Sequence, residues 1–266
     1  MNVEDVFFAA SLFEGRHTYG KRWPGPAQRH DFPRTDVYGL KIASQVDPRD
    51  ELPPLFNQGQ LGSCTANATS AAFQYESILD GKDCGELARL WVYYFERKRE
   101  GTLGQGDVGA MGHDAFTVAR HGIPDETLWP YVISTFQHKP GADFPRAYTL
   151  SKQVSQPPQS EAAIKQVLSN SQTIAYGFTV YESFEEPWET PGVMPMPQPG
   201  EQVLGGHENL WVGYLSDYPG YLLSRNSWNP NKNDKSLNVL GYFLMPIAYA
   251  LDQYNVSDLR TIVRPL

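Results

Sequence analysis

The stretch Asn57-Gln58-Gly59-Gln60-Leu61-Gly62-Ser63-Cys64-Thr65-Ala66 sets a cysteine just beyond two glycines, where the chain can turn tightly, and at the opening of a helical pattern. A thiol there feels the positive end of the helix dipole, which favours the thiolate, the nucleophilic form. The Cys64 backbone N–H is one of the donors that a helix start leaves unpaired and can point at a developing oxyanion. The Gln58 side-chain amide offers a second donor. Taken alone, the segment reads equally as a small buried cysteine packing a helix start.

A nucleophilic cysteine needs a base that can form an imidazolium beside it. Of the six histidines, His17 and His30 fall in an irregular N-terminal stretch, and His138 lies in a loop before Lys139-Pro140. His113 and His121 sit on or just after a helix, where a satisfied surface histidine is expected. His207 follows Gly205-Gly206 and opens the apolar strand Leu210-Trp211-Val212-Gly213-Tyr214, held firmly at a strand mouth yet open to a cleft. The base needs an orienting partner in turn. Asn226, in Ser224-Arg225-Asn226-Ser227-Trp228, ends the next strand, and a hairpin would bring it to the same end as His207. Trp228 would cover a bond between them. An Asx turn at Asn226 and plain core packing of Trp228 remain the alternatives.

The elements that must hold these residues divide the chain. Ala68, Ala71, Ala72, Tyr75, Ile78 and Leu79 recur at helical spacing after Cys64, and Gly81 ends that helix. Leu87, Leu90, Trp91 and Tyr94 mark a second helix. Met111, Ala115, Val118 and Ala119 mark a third, stopped by Gly122 and Pro124. Ser160 caps a short helix through Ile164, Val167 and Leu168. Strand patterns then cover 173–181, 207–215, 221–227 and 241–246, with Asp217-Tyr218-Pro219-Gly220 as a turn. Helices first and sheet second predict an α+β protein of two lobes with a cleft between them. Residues 1–45, with Pro24, Pro26 and Pro33 among charges and with Trp23, Phe32 and Tyr38, read as an extended arm lying against a surface. Residues 46–266 are expected to form the domain that carries these candidate residues, about 50–150 its helical lobe and about 151–266 its β lobe.

Composition removes several function classes. A net charge of −8 argues against nucleic acid and anionic membrane as partners, and no apolar run reaches the roughly 20 residues of a membrane span. Glu4 and Asp5 precede the apolar patch Val6–Phe13, where a secretory signal carries positive charge. Two cysteines, Cys64 and Cys84, allow at most one disulfide, and no CxxC or HxxxH pair offers a metal site. No cofactor or metal is expected.

In order and in kind, these residues resemble the papain family of cysteine peptidases. Its pattern Q-G-x-C-G-S-C-W, a later H-A and then N-S-W-G is matched by Gln58 through Thr65, by His207-Glu208 and by Asn226-Ser227-Trp228-Asn229. His207 falls within the roughly 130–150 residues that separate base from nucleophile in this family, and Asn226 a little beyond. The resemblance implies a papain-like two-lobed fold with an antiparallel β lobe and hydrolysis of peptide or protein substrates. Cys64 would be the nucleophile, His207 the base, Asn226 its orienter, and Gln58 with Cys64 the oxyanion hole. It further implies that Gly109 and Ala110, in Gly106-Asp107-Val108-Gly109-Ala110, pair with substrate backbone. A cap by Asp107 at a helix entry is the competing reading of that segment. Glu208 would border the S2 pocket and favour a basic P2 side chain, and Trp228 would line the cleft.

The departures carry expectations of their own. Leu61 stands where the family usually has a cysteine, so that disulfide is absent. Thr65 replaces the usual tryptophan, and Glu208 and Asn209 stand where small or apolar residues are typical. The arm is shorter than the family's long helical propeptide and resembles the short-armed bacterial and viral members. It is expected to lie in or beside the cleft as an inhibitory segment. An amine acceptor in place of water, giving a transferase, or a catalytically silent binding module are the rival functions.

Overall fold

The computed structural model describes residues 18–22, 32–35, 41–141, 143–185, 192–228 and 241–264. Trp23, Tyr38, His17, His30 and the patch Val6–Phe13 therefore lie outside the described residues.

Three helices come first: α1 (Cys64–Leu79), α2 (Arg89–Glu100) and α3 (Gly112–Ala119). α1 is buried over all but its last two residues, although its apolar periodicity predicts only one covered face. Small side chains explain the difference, because Thr65, Ala66, Ala68, Thr69, Ser70, Ala71 and Ala72 let neighbours approach on every side. Two of its buried polar residues, Thr65 and Asn67, are paired with neighbouring groups. Thr65 Oγ1 donates to Glu96 Oε1 at 2.9 Å, Asn67 Nδ2 to the Ser63 carbonyl at 2.9 Å, and Arg89 Nη1 to Asn67 Oδ1 at 3.1 Å. α2 stops at Gly101, which takes the left-handed conformation at φ 71 that a glycine C-cap allows.

A two-stranded ribbon, β1 (Ile123–Pro124) with β2 (Arg146–Tyr148), follows the helices. The remaining strands form one antiparallel sheet. They are β3 (Val154–Ser155), β4 (Ile174–Tyr181), β5 (Val203–Gly213), β6 (Tyr221–Arg225), β7 (Tyr242–Pro246) and β8 (Val256–Ile262), in the order β3-β8-β4-β5-β6-β7. Between them lie α4 (Glu161–Ser169), whose N-cap Ser160 Oγ accepts from Ala163 N–H, then α5 (Glu182–Glu185) and α6 (Ile247–Leu251). Alternation along the strands splits the interior in two. Ala175, Leu210, Val212, Leu223 and Leu244 pack with the helical lobe, whereas Tyr176, Trp211, Leu222, Phe243 and Met245 pack with α4 and α6 on the opposite face. The α+β architecture expected from the sequence, helices first and an antiparallel sheet second, is the one observed.

Two strand expectations need correction. His207 is not at a strand mouth: β5 begins four residues earlier, at Val203, and Gly205 and Gly206 are paired with Val180 and Thr179. Nothing in the sequence reading marked β8, because its run Val256-Ser257-Asp258-Leu259-Arg260 interrupts the apolar alternation with buried charge. Histidine 113 also departs from the surface role expected of it. It is buried on α3, with Nε2 3.2 Å from Asp114 Oδ2.

Candidate active site

Cys64 is the first residue of α1 and is fully buried with a free thiol. The backbone N–H groups of Glu208 and Gly20 both approach its sulfur. One comes from the strand residue after His207 and the other from the arm. The helix start does not leave this thiol acidic. Burial, reinforced by the Glu208 carboxylate, pushes it up to about 12, against the pull of those two amides and of Lys21. Here desolvation outweighs the dipole on which the expectation of a thiolate rested.

His207 lies in the middle of β5, paired with Phe178, and its Nε2 is 2.9 Å from Asn226 Oδ1. The hairpin β5–β6 brings them together: Leu210 pairs with Arg225, and Asn226 follows directly. Asn226 is fixed from a second side by its N–H to the Gly241 carbonyl at 2.9 Å. Trp228 covers the pair, its ring stacked on the imidazole at 4.5 Å between centroids and 26° between planes. Phe178, Phe184 and Tyr19 close the remaining sides of this aromatic box edge-on.

Gln58 is held by five hydrogen bonds. Its backbone N–H donates to the Ser227 carbonyl at 2.8 Å, its carbonyl accepts from Tyr131 OH at 2.9 Å, and its Oε1 accepts from Ser227 Oγ at 2.7 Å. With the oxygen so fixed, Nε2 donates to Leu61 O at 2.9 Å and faces the Thr18 carbonyl of the arm at 3.3 Å. Ser227 thus orients the Gln58 amide while its own N–H meets Asn226 Oδ1 at 2.8 Å. Sequence reading passed over Ser227, although its place between Asn226 and Trp228 was the available signal.

Asp107 does not cap a helix. α3 starts later, at Gly112, and Asp107 Oδ2 instead accepts the Gly62 N–H at 2.7 Å, tightening the turn before Cys64. Gly109 and Ala110 meet the arm. The Ala110 N–H donates to Gly20 O at 2.7 Å, and the Ala110 carbonyl accepts from Arg22 N–H at 2.7 Å, a parallel bridge centred on Lys21. From the other lobe, Gly206 O accepts the Lys21 N–H at 2.9 Å. Glycine is required along this crossing. A Cβ at Gly20 would overlap the Gly62 carbonyl, and one at Gly109, whose φ is +69, would overlap Gly20 O.

The Lys21 side chain leaves this crossing for a buried acidic pocket. Its Nζ lies 2.9 Å from Asp258 Oδ2 and 3.5 Å from Glu208 Oε2, and Arg260 Nη2 lies 2.7 Å from Asp258 Oδ1. Burial alone would pull the Lys21 ammonium down, but Asp258 and Glu208 outweigh it and raise its pKa. Burial pushes Glu208 up to about 7 in spite of Lys21. Burial also opposes ionisation of Asp258, yet Arg260 and Lys21 together hold it well below the usual carboxylate range.

Among the described residues there is no group of three side chains suited to hold a metal ion, and no helix is long and apolar enough to cross a membrane.

Residues 42–248 match the sequence model of the papain family cysteine proteases. An uncharacterized peptidase C1-like protein of Acanthamoeba polyphaga mimivirus is 30% identical over 221 residues, covering 76% of this chain and 67% of its own. In structure, the chain resembles xylellain, a cysteine protease from Xylella fastidiosa, with a TM-score of 0.79 and 31% identity over 92% of this chain and 96% of the other. The digestive procathepsin L2 of Tenebrio molitor larval midgut shares the fold, with a TM-score of 0.67 and 18% identity over 99% and 81% of the two chains.

Proposed function

The chain belongs to the papain family of cysteine proteases and is a cysteine peptidase; from that premise we propose that Cys64, His207, Asn226 and Gln58 perform the hydrolysis and that residues 18–22 of its own arm hold the site closed. The observation that carries the reading is the His207 Nε2–Asn226 Oδ1 contact of 2.9 Å beneath Trp228, with the next residue's N–H on the Cys64 sulfur.

With the arm lifted, solvent reaches Cys64 and the desolvation that keeps its thiol protonated is relieved. His207 takes the thiol proton, and the sulfur attacks the scissile carbonyl carbon. The carbonyl oxygen becomes an oxyanion held by the Gln58 Nε2 and Cys64 backbone donors. His207 then protonates the leaving amine, the C–N bond breaks, and a thioester remains on Cys64. Water, deprotonated by His207, attacks the thioester and releases the carboxylic acid product, restoring the thiol. Asn226 keeps the imidazole in one plane and one tautomer throughout, and its neutral amide adds no second buried charge. Trp228 shields that bond from water.

The arm blocks this sequence by occupying both lobes at once. It takes the Ala110 and Gly206 backbone partners that an extended peptide would use, and it sets Thr18 O against the Gln58 amide. The Gly20 N–H of the seated arm also approaches the Cys64 sulfur.

Acid-quenched intact mass spectrometry during turnover of a peptidyl ester tests the mechanism. The expected product is the acyl mass on Cys64. Hydrolysis that proceeds with no acyl adduct, or equally well in Cys64→Ala, overturns it.

A further inference from the structure

We propose that Tyr131 is a positioning residue for the reaction: its hydroxyl ties together the two ends of the loop from Gln58 to Cys64 and so sets the spacing of the two oxyanion donors. The proposal rests on the peptidase reading above and deepens it by naming what holds those donors in place.

The Gln58 side-chain amide and the Cys64 backbone N–H belong to opposite ends of a turn that contains Gly59 and Gly62, and glycines leave such a turn many conformations. Tyr131 comes from a separate segment, after Pro130, and its hydroxyl meets both ends at once. It lies 2.9 Å from Gln58 O and 2.5 Å from the Oγ of Ser63, the residue before Cys64. A single atom therefore fixes the distance across the turn, and with it the distance between the two donors.

Ser63 departs from helix chemistry in the direction this role requires. A serine at an N-cap ordinarily turns its hydroxyl back to accept from an N–H of the first turn. Ser63 is the N-cap residue of α1, yet its side chain makes no such bond. The hydroxyl is committed instead to Tyr131 and Asn67. Sites where a local rule is broken in this way are where function competes with stability.

The hydrogen bonds behind Tyr131 also have one direction. Glu126 grips the Arg89 guanidinium with both oxygens, accepting from Nε at 2.8 Å and from Nη2 at 2.5 Å. Arg89 has only donors, so its Nη1 needs an oxygen and meets Asn67 Oδ1 at 3.1 Å. That turns Asn67 Nδ2 toward Ser63, where it donates to Oγ at 3.0 Å and to the carbonyl at 2.9 Å. The Gln58 carbonyl can only accept, so the Tyr131 proton goes to it and the Ser63 proton goes to Tyr131. Each member of the row from Glu126 to Gln58 thus has its orientation set by the one before it, and such rows strengthen their own bonds in a low dielectric. Arg89 also packs on the faces of Phe56 and Tyr131, with its Cζ 4.4 and 4.0 Å from their centroids, and so holds the phenol ring in place.

The test uses the full chain carrying Gly20→Val, whose added carbons would overlap the Gly62 carbonyl and lift the arm from the cleft. Tyr131→Phe in this parent removes the hydroxyl and keeps the ring against Arg89. With one peptidyl fluorogenic amide as substrate, kcat is expected to fall about tenfold while KM stays within about twofold, as when an interaction acts in the transition state alone. The same substitution is then made in a Gln58→Ala chain, where one of the two donors is already gone. There it is expected to lower kcat only about two- to threefold, because residues that act through one another are not additive. Ser63→Ala is expected to lower kcat in the same way, and it decides the matter should Tyr131→Phe fail to fold by thermal melt. An unchanged kcat, a loss confined to KM, or an equal loss with and without the Gln58 amide overturns the proposal and leaves the peptidase reading intact. A Gly20→Val parent that cleaves no amide overturns the peptidase reading, and this proposal with it.

Discussion

His207, in the middle of β5, and Asn226, the residue that follows the end of β6, stand 2.9 Å apart, although the sequence pattern suggests a strand end for the histidine. Their contact is made by the register of a hairpin rather than by a local turn. That register is set by Leu210 against Arg225 and by the turn closed at Gly220, whose φ is +89. Moving either strand by one residue would send one of the two side chains to the opposite face.

Replacing Asn226 by alanine leaves the imidazole stacked on Trp228 but free to rotate in its plane. The account expects kcat to fall by roughly 10- to 10²-fold with a smaller change in KM, since loss of orientation acts on the reacting geometry. Steady-state kinetics on a single amide substrate separates the two parameters.

Gln58→Ala removes one oxyanion donor and should lower kcat by about 10²–10³-fold without abolishing turnover. Ser227→Ala removes the hydroxyl that fixes Gln58 Oε1 at 2.7 Å, and should give a smaller loss of the same kind. A Ser227→Ala enzyme as slow as Gln58→Ala would contradict the positioning role.

Burial beneath the arm pushes the Cys64 thiol up to about 12, so the closed chain should be alkylated slowly by iodoacetamide near neutral pH. Gly20→Val should raise that rate at pH 7, because the arm can no longer cross Gly62. Cys84 is half-buried, and peptide mapping of the adduct assigns the rate to the correct residue. Equal Cys64 labelling in the two chains would mean that the arm does not cover the thiol.

Stability should carry the imprint of the acidic pocket. Burial raises Glu208 from an ordinary 4.5 to about 7, so the folded chain binds that proton more tightly than the unfolded chain does. The resulting stability is fully present below about 4.5 and is lost as pH rises through about 7. Asp258 acts with the opposite sign. Its depressed pKa gives stability above the ordinary aspartate value that is lost as pH falls below it. Thermal melts between pH 4.5 and 7 should show a falling midpoint, and Glu208→Gln should flatten that slope.

Much of the site is legible in the sequence because its residues stand beside strong local signals. Gln58 and Cys64 flank a glycine turn that opens a helix, and Asn226 and Trp228 sit where a strand ends. The helical half and four strands are equally open to reading, since their apolar spacing is regular. What escapes is set by tertiary context. α1 is buried on every side through small residues that carry little hydrophobic signal. β8 is hidden by Asp258 and Arg260, whose burial is tolerable only because they pair with each other and with Lys21, far away in the chain. The glycines before His207 suggested a strand mouth. Their neighbours give another reason for them: a Cβ at Gly205 would press on Tyr19, and one at Gly206 on the Lys21 carbonyl. The burial of Cys64 escapes for a related reason, because a helix start is visible in sequence and the cover over it is not.

The most direct test of the central claim is hydrolysis of a mixed set of dipeptidyl fluorogenic amides, under reducing conditions, by the wild-type chain, by Gly20→Val and by Gly20→Val with Cys64→Ala. The account predicts slow turnover by the wild type, faster turnover by Gly20→Val and none once Cys64 is removed. Turnover that survives Cys64→Ala would contradict the assignment of the nucleophile, and a Gly20→Val chain no faster than the wild type would contradict closure by the arm.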